Sequence, residues 1–146
     1  MKKLLIAGAL IASASALAIA QETPSPEGAR VYIANIEDGS TVTSPVTVMF
    51  GLEGMGVAPA GGDFENTGHH HLLINRAPMG EGPDGAEELT YAIPADDNHR
   101  HFGGGQTQVT LELPAGSHTL QLVLGDQFHI PHDPPVMSDV ITINVE

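Results

Sequence analysis

The stretch Leu111–Asp126, LELPAGSHTLQLVLGD, decides the fold of this chain. It places a small turn, Pro114-Ala115-Gly116, between two runs in which apolar and polar residues alternate. The apolar members are Val109, Leu111 and Leu113 before the turn and Leu120, Leu122 and Leu124 after it. A period of two is typical of a β-strand with one face in the core. The stretch therefore predicts a β-hairpin whose leucines face inward.

The rest of the chain shows the same β pattern. Further strands are predicted at Arg30–Ile36, Val46–Phe50, His71–Asn75 and Ile141–Val145, and glycine or proline interrupts every window that favours an amphipathic helix after residue 20. Two segments, Gly51–Gly68 and Arg76–Gln106, are too long to be simple turns. We therefore predict an all-β fold, an immunoglobulin-like antiparallel β-sandwich of about seven strands with two long loops.

The first twenty residues have the pattern of a secretory signal peptide. Met1-Lys2-Lys3 is basic, the next residues are apolar or small, and Ala18-Ile19-Ala20 is an A-x-A cleavage site. We expect residues 1–20 to be the signal peptide, 21–29 a linker and 30–146 a single domain. The mature protein is then expected in a periplasm or outside the cell, with no membrane insertion after cleavage.

The composition excludes several classes of function. Residues 21–146 carry three basic and 18 acidic side chains, a formal net charge of −15, which argues against nucleic acid and anionic membranes as partners. The chain has no cysteine, so thiolate metal sites and thiol catalysis are excluded. The motifs G-x-S-x-G, H-E-x-x-H and the P-loop are also missing, and we expect no enzymatic activity.

Histidines are the main functional signal. Seven of the eight lie in three clusters, His69-His70-His71, His99-Arg100-His101 and His129-Ile130-Pro131-His132. Imidazole suits copper and zinc, and a His-x-His pair on a strand presents two rings on one face. The predicted ligands for copper or zinc are His69, His71, His99, His101, His129 and His132.

Strand parity separates the other two histidines from this set. His118 shares the face of the inward leucines, and His70 shares that of Leu72 and Ile74. We therefore interpret His118 as a framework residue hydrogen-bonded inside the fold, and His70 is a candidate for the same role. The run Gly103-Gly104-Gly105 is expected to let the backbone pass close to the histidines or turn sharply.

Acidic residues near the histidines leave alternatives open. They can orient histidines, act as ligands, or form a calcium site, although no EF-hand spacing is present. The residues concerned are Asp63, Glu65, Asp96, Asp97, Asp126 and Asp133. Two functions other than metal binding also remain. The first is a cell-envelope module that recognises a glycan or protein, and the second is a structural domain whose histidines hold the loops.

Three segments carry a resemblance to a known family. They are GHHHLLIN (68–75), HFGGGQTQVTLELPAGSHTLQLVLGD (101–126) and HIPHDPPVMSDVITINV (129–145). Together they resemble the bacterial domain of unknown function 4399, over about Arg30 to Glu146. The family usually reads HHHLLID, so Asn75 replaces an aspartate here. The resemblance implies an exported immunoglobulin-like domain and no particular activity.

Overall fold

The computed structural model describes residues 23–146, and the predicted signal peptide at 1–20 lies outside the described residues. The described part contains nine strands and one short 3₁₀ helix, Gly85–Thr90. The strands are β1 (Arg30–Ile33), β2 (Thr41–Val42), β3 (Val46–Glu53), β4 (Gly56–Val57), β5 (Thr67–Ile74), β6 (His99–His101), β7 (Gln108–Leu111), β8 (Gly116–Gly125) and β9 (Ile141–Val145). In this part of the chain no helix is long and apolar enough to cross a membrane.

The strands form two sheets, which confirms the predicted β-sandwich. One sheet has three strands in the order β1-β3-β7, and the other has the order β2-β9-β8-β5-β4, with β6 also paired to β5. All long pairings are antiparallel, but the two-residue strands β2 and β4 run parallel to β9 and β5. The larger sheet is therefore mixed, because the two short strands at its edges run parallel to their neighbours.

The main core lies between the sheets and follows the predicted alternation. Val46, Val48 and Phe50 of β3 are buried while the residues between them are exposed. From the larger sheet, the leucines at 120, 122 and 124 are fully buried. Burial of each such side chain stabilises the fold by about 1.5–3 kcal/mol relative to exposure. The core is aliphatic except for Phe50 and Phe102.

A smaller second core covers the outer face of the larger sheet. Leu73 of β5 and Val123 of β8 point away from the main core and pack against Met79 and Ile93. Both partners come from the long segment between β5 and β6, which carries the 3₁₀ helix. The central strands are therefore buried on both faces.

Several predicted boundaries are wrong. β5 begins at Thr67 rather than at His71, because the histidines before Leu72 are buried strand residues and do not form an apolar run. β3 continues to Glu53, which shortens the predicted loop at Gly51–Gly68 from both ends. β1 ends at Ile33 rather than Ile36.

Candidate metal centre

Four histidines meet on the outer face of the larger sheet, at one end of the sandwich. They are His69, His71, His101 and His129, and one ring nitrogen from each lies within 4.8 Å of the corresponding nitrogens of the others. His69 and His71 are buried, His129 is half-buried and His101 is exposed. The cluster is therefore covered by the sheet on the side of His69 and His71 and open to solvent on the side of His101.

Strand pairing explains three members of the cluster. β5 alternates faces, so His69 and His71 point outward together with Leu73. His71 is directly opposite His101 of β6 in an antiparallel pair, and residues opposite each other share a face. The parity predicted from the sequence for these histidines is confirmed.

His129 arrives from the loop after β8, and the buried residue Asp126 shapes that loop. The Asp126 carboxylate oxygen Oδ1 accepts hydrogen bonds from the backbone N–H of Phe128 at 2.8 Å and of Ile130 at 2.9 Å. The N–H of His129 bonds the Asp126 carbonyl at 3.0 Å. His129 has a left-handed backbone with φ 69°, which non-glycine residues adopt where the surroundings impose it. The turn thereby brings the His129 ring over β5.

Two imidazole nitrogens lie at hydrogen-bonding distance from the same nitrogen of His69. His69 Nε2 is 3.0 Å from His71 Nε2 and 3.0 Å from His129 Nδ1. At a metal–nitrogen distance of about 2.0–2.1 Å, neighbouring ligands are about 3.3 Å apart in a tetrahedron and about 2.9 Å in a square. A single Nε2 can donate only one hydrogen bond or offer one lone pair. The spacing therefore matches lone pairs that converge on one cation.

Two glycines make room for the histidine rings. A Cβ atom on Gly125 would lie 2.9 Å from His71 Nε2, and one on Gly103 would lie 2.7 Å from His101 Nε2. Neither glycine has positive φ, so their small size is the requirement. The expectation that the glycine run allows close approach to the histidines is confirmed for Gly103. The role of Gly125 was not predicted, because nothing in a β-strand pattern shows which ring lies above it.

Burial favours the neutral form of three of the cluster histidines. Together with the neighbouring histidines, it lowers the pKa of His69 to about 4 and that of His71 to about 2. The pKa of His101 is lowered for the same two reasons. The negative charge of Asp126 acts in the opposite direction on His69. Neutral imidazole is the form that ligates metals, so these groups stay ready to bind below neutral pH.

His99 does not join the cluster, although it was predicted as a ligand. It lies on β6, but both of its nitrogens are occupied. Nδ1 donates to the Asp96 carboxylate at 2.8 Å, and Nε2 accepts from the Arg76 guanidinium at 2.6 Å. Arg76 in turn forms a bidentate ion pair with Glu88, with both contacts at 2.8 Å. The network occupies both nitrogens of this ring and leaves neither for the cluster.

His132 also lies apart from the four. Pro131 bridges to Gly125, and a Cβ on Gly68 would point at His132 Nε2 and at Leu124, which belongs to the main core. His132 is therefore on the inner side of the sheet, whereas the cluster is on the outer side. The loop between His129 and His132 passes around the strand end, which spacing alone does not reveal.

His118 and His70 are framework residues. His118 Nε2 donates to the Pro114 carbonyl at 2.8 Å, and Nδ1 accepts from the Asn75 amide at 2.9 Å. Asn75 thus orients His118 and not the cluster. His70 faces the main core as predicted and packs on Phe50 with ring centroids 5.1 Å apart, but its nitrogens make no hydrogen bond among the described residues.

A comparison with protein families gives one match. The model of the family described as domain of unknown function (DUF4399) matches residues 48–146. The chain belongs to this family. All four cluster histidines, both supporting glycines and Asp126 lie in the matched region of the DUF4399 domain, whereas β1 and β2 precede it. A search of the curated proteins found no match.

Acidification is expected to destabilise the metal-free DUF4399 domain between pH 6.5 and 4. His69, His70 and His71 have folded-state pKa values below 6.5, so in this window the unfolded chain binds protons that the folded chain does not. The free energy of unfolding should fall with falling pH by about 1.4 kcal/mol per pH unit for each such histidine. Urea denaturation in a chelating buffer at pH 7.5, 6.5, 5.5 and 4.5 measures it.

His70→Leu is the matched variant, since it removes one of these three titrating histidines. His70 faces the main core, so the four cluster histidines stay in place. Its pH dependence should be shallower than that of the wild type. A free energy of unfolding that stays constant from pH 6.5 to 4.5 would contradict the burial of neutral imidazoles.

Gly125→Ala should disturb the cluster from below. The added methyl group must displace the His71 ring, and overpacking of this kind costs about 1–3 kcal/mol. Gly104→Ala is the control, because its Cβ would meet only the flexible side chain of Gln106, and we expect a change within about 0.5 kcal/mol. Urea denaturation of the metal-free variants compares the two. Equal stability would show that Gly125 does not support His71.

Proposed function

We propose that this chain is an exported, non-enzymatic protein that binds a divalent transition metal, Cu(II) or Zn(II). The ligands are His69, His71, His101 and His129, a smaller set than the six that the sequence suggested. The observation that carries the proposal is the pair of 3.0 Å contacts that His69 Nε2 makes with two other ring nitrogens. The protein would buffer or carry the metal.

The contacts of His69 differ from those of the histidines outside the cluster. His99 and His118 each have a partner for both nitrogens, whereas the nitrogens of His70 make no hydrogen bond among the described residues. In the cluster, His69 Nε2 has two imidazole nitrogens at 3.0 Å. Because one Nε2 forms a single hydrogen bond, a purely structural role would leave one of these two contacts without a hydrogen bond of its own. A cation resolves this conflict because it accepts several lone pairs at once.

The donor set favours borderline metals over calcium. Imidazole nitrogen suits Cu(II) and Zn(II), whereas calcium takes oxygen ligands. No carboxylate belongs to the cluster among the described residues. Asp126 is 1% exposed and close enough to influence the charge of His69, so it offsets part of the added positive charge without being a ligand.

The exposure of the site fits reversible binding. His101 is exposed and His129 half-buried, so a metal can enter and leave from the solvent side. The two buried ligands on β5 supply a rigid base. A strong negative net charge on residues 21–146 attracts cations in a general way.

Calorimetry with Cu(II) and with Zn(II) tests the proposal. We expect saturable one-to-one binding, and His101→Ala should weaken it by at least about tenfold because one of four ligands is lost without a change in the core. Asp97→Asn is the matched control, since it removes an exposed acid beside the cluster segment but no ligand. It should bind within about threefold of the wild type.

Two outcomes would refute metal binding through the histidines. One is the absence of saturable binding by the wild type for either ion. The other is an equal loss of affinity in both variants, which would indicate general attraction by acids.

A second candidate function is glycan recognition at the same end of the sandwich. Phe64, Tyr91 and Phe128 are 64%, 62% and 61% exposed. Their loops adjoin the cluster, since Gly61 N–H bonds the Gln127 carbonyl at 3.1 Å and Ile93 N–H bonds the His129 carbonyl at 2.8 Å. Exposed aromatic side chains beside carboxylates suit stacking on a sugar ring and hydrogen bonding to its hydroxyls.

Binding of an N-acetylglucosamine tetrasaccharide tests this second function. Titration followed by NMR should show shifts in the three loops, and Phe64→Ala combined with Phe128→Ala should abolish them. Met49→Ala, an exposed apolar residue on β3, is the control. A lack of saturable shifts in the wild type would reject recognition of this glycan class.

A further inference from the structure

Residues 23–25, here called the strap, lie along the loop that follows β8. Ser25 N–H bonds the Asp133 carbonyl, and Asp133 N–H bonds the Thr23 carbonyl, both at 3.0 Å. Pro24 forms a parallel bridge with Asp133, and Ser25 Oγ donates to the Pro134 carbonyl at 2.7 Å. The sequence predicted a linker at 21–29, whereas the described part of it is held against the domain.

Thr23 completes the surroundings of the carboxylate behind the metal centre. Its hydroxyl Oγ1 donates to Asp126 Oδ2 at 2.7 Å, while Asp126 Oδ1 accepts the two backbone N–H groups that shape the His129 turn. Asp126 is buried and has no cationic side-chain partner within residues 23–146. A buried carboxylate depends on such donors, because each lost one leaves an oxygen desolvated and unpaired.

The strap contacts the same loop at a second point. The Thr23 carbonyl accepts a hydrogen bond from His132 Nδ1 at 3.2 Å. Thr23 thus joins Asp126, before His129, to His132, after it. The loop that carries one ligand is held at both ends by one residue of the strap.

We propose that the strap positions His129 through Asp126, and that the metal centre reaches full affinity only when the strap is docked. The inference rests on the proposed metal-binding function. Thr23 is a positioning residue, since it acts through Asp126 and has no contact with the four ligand nitrogens. Changes to groups that orient ligands typically lower metal affinity by 10–100-fold.

The coupling must work in both directions. If docking of the strap strengthens metal binding, then bound metal must stabilise the docked strap by the same factor. Trimming of the chain up to residue 25 would then lower affinity without touching a ligand. Residues 23–25 are in this way part of the site.

Thr23→Val is the decisive variant, because it removes the hydroxyl and keeps a β-branched side chain. We expect Cu(II) affinity, measured by calorimetry with a competing chelator, to fall by about tenfold or more. Thr23→Ser restores the hydroxyl and should bind within about threefold of the wild type. Ser25→Ala is a second comparison, since its hydroxyl holds the strap to Pro134 without contacting Asp126, and it should weaken binding by less than Thr23→Val does.

Amide hydrogen exchange supplies a readout that needs no metal. In the metal-free protein, the N–H groups of Phe128 and Ile130 should exchange faster in Thr23→Val than in Ser25→Ala.

In the wild type, Cu(II) should slow exchange at the Ser25 N–H.

The outcomes separate this inference from the proposed function. A wild type that binds neither ion refutes the proposed function, and with it the effect on affinity. A wild type that binds metal while Thr23→Val binds equally tightly overturns the strap alone. Unchanged exchange at Phe128 and Ile130 overturns the positioning of the turn, whether or not metal binds.

Discussion

The structure depends on the pairing of β5 with β8 at the centre of the larger sheet. Because the leucines of β8 belong to the main core, the pairing of Leu72 with Leu122 sets which face each residue of β5 takes. Successive residues of the histidine triplet therefore point to opposite sides. If the pairing of β5 with β8 shifted by one residue, His70 would point outward and His69 and His71 would point into the core. The packing of aliphatic side chains thus determines the geometry of the polar site.

The outer face becomes a site because other segments cover it. The second core around Leu73 and Val123 covers the surface of the sheet next to His71, and β6 places His101 beside His71. Burial excludes water from the rings of His69 and His71, which favours their neutral form. The buried carboxylate of Asp126 shapes the turn that carries His129 and also accepts a hydrogen bond from Thr23. The same packing therefore stabilises the fold and brings the histidines together.

Sequence parity predicted a substantial part of this arrangement. It placed His69 and His71 on one face and His70 on the other, it identified His118 as structural, and it associated the glycine run at 103–105 with the histidines. Six ligands were predicted, and the structure brings four of them together but not His99 and His132. His99 has the correct strand, but its ring is held by Arg76 and Asp96, which are 23 and 3 residues away in sequence. The sequence left three roles open for Asp126, which were orienting a histidine, acting as a ligand and forming a calcium site. An aspartate just before a turn with free N–H groups is nonetheless a recognisable signal for the first of these.

The sequence by itself determined the all-β class, the inward leucines and the outward direction of His69 and His71 on β5. These properties follow from the period of two along each strand, which is a local rule. The tertiary structure alone decided which histidines converge, that Gly125 must be small, and that residues 23–25 bond to the loop that carries His129. These depend on contacts between residues distant in the chain, such as the one from Thr23 to Asp126 across 103 positions. No local pattern encodes such distances, because they are set by how the loops pack at the end of the sandwich.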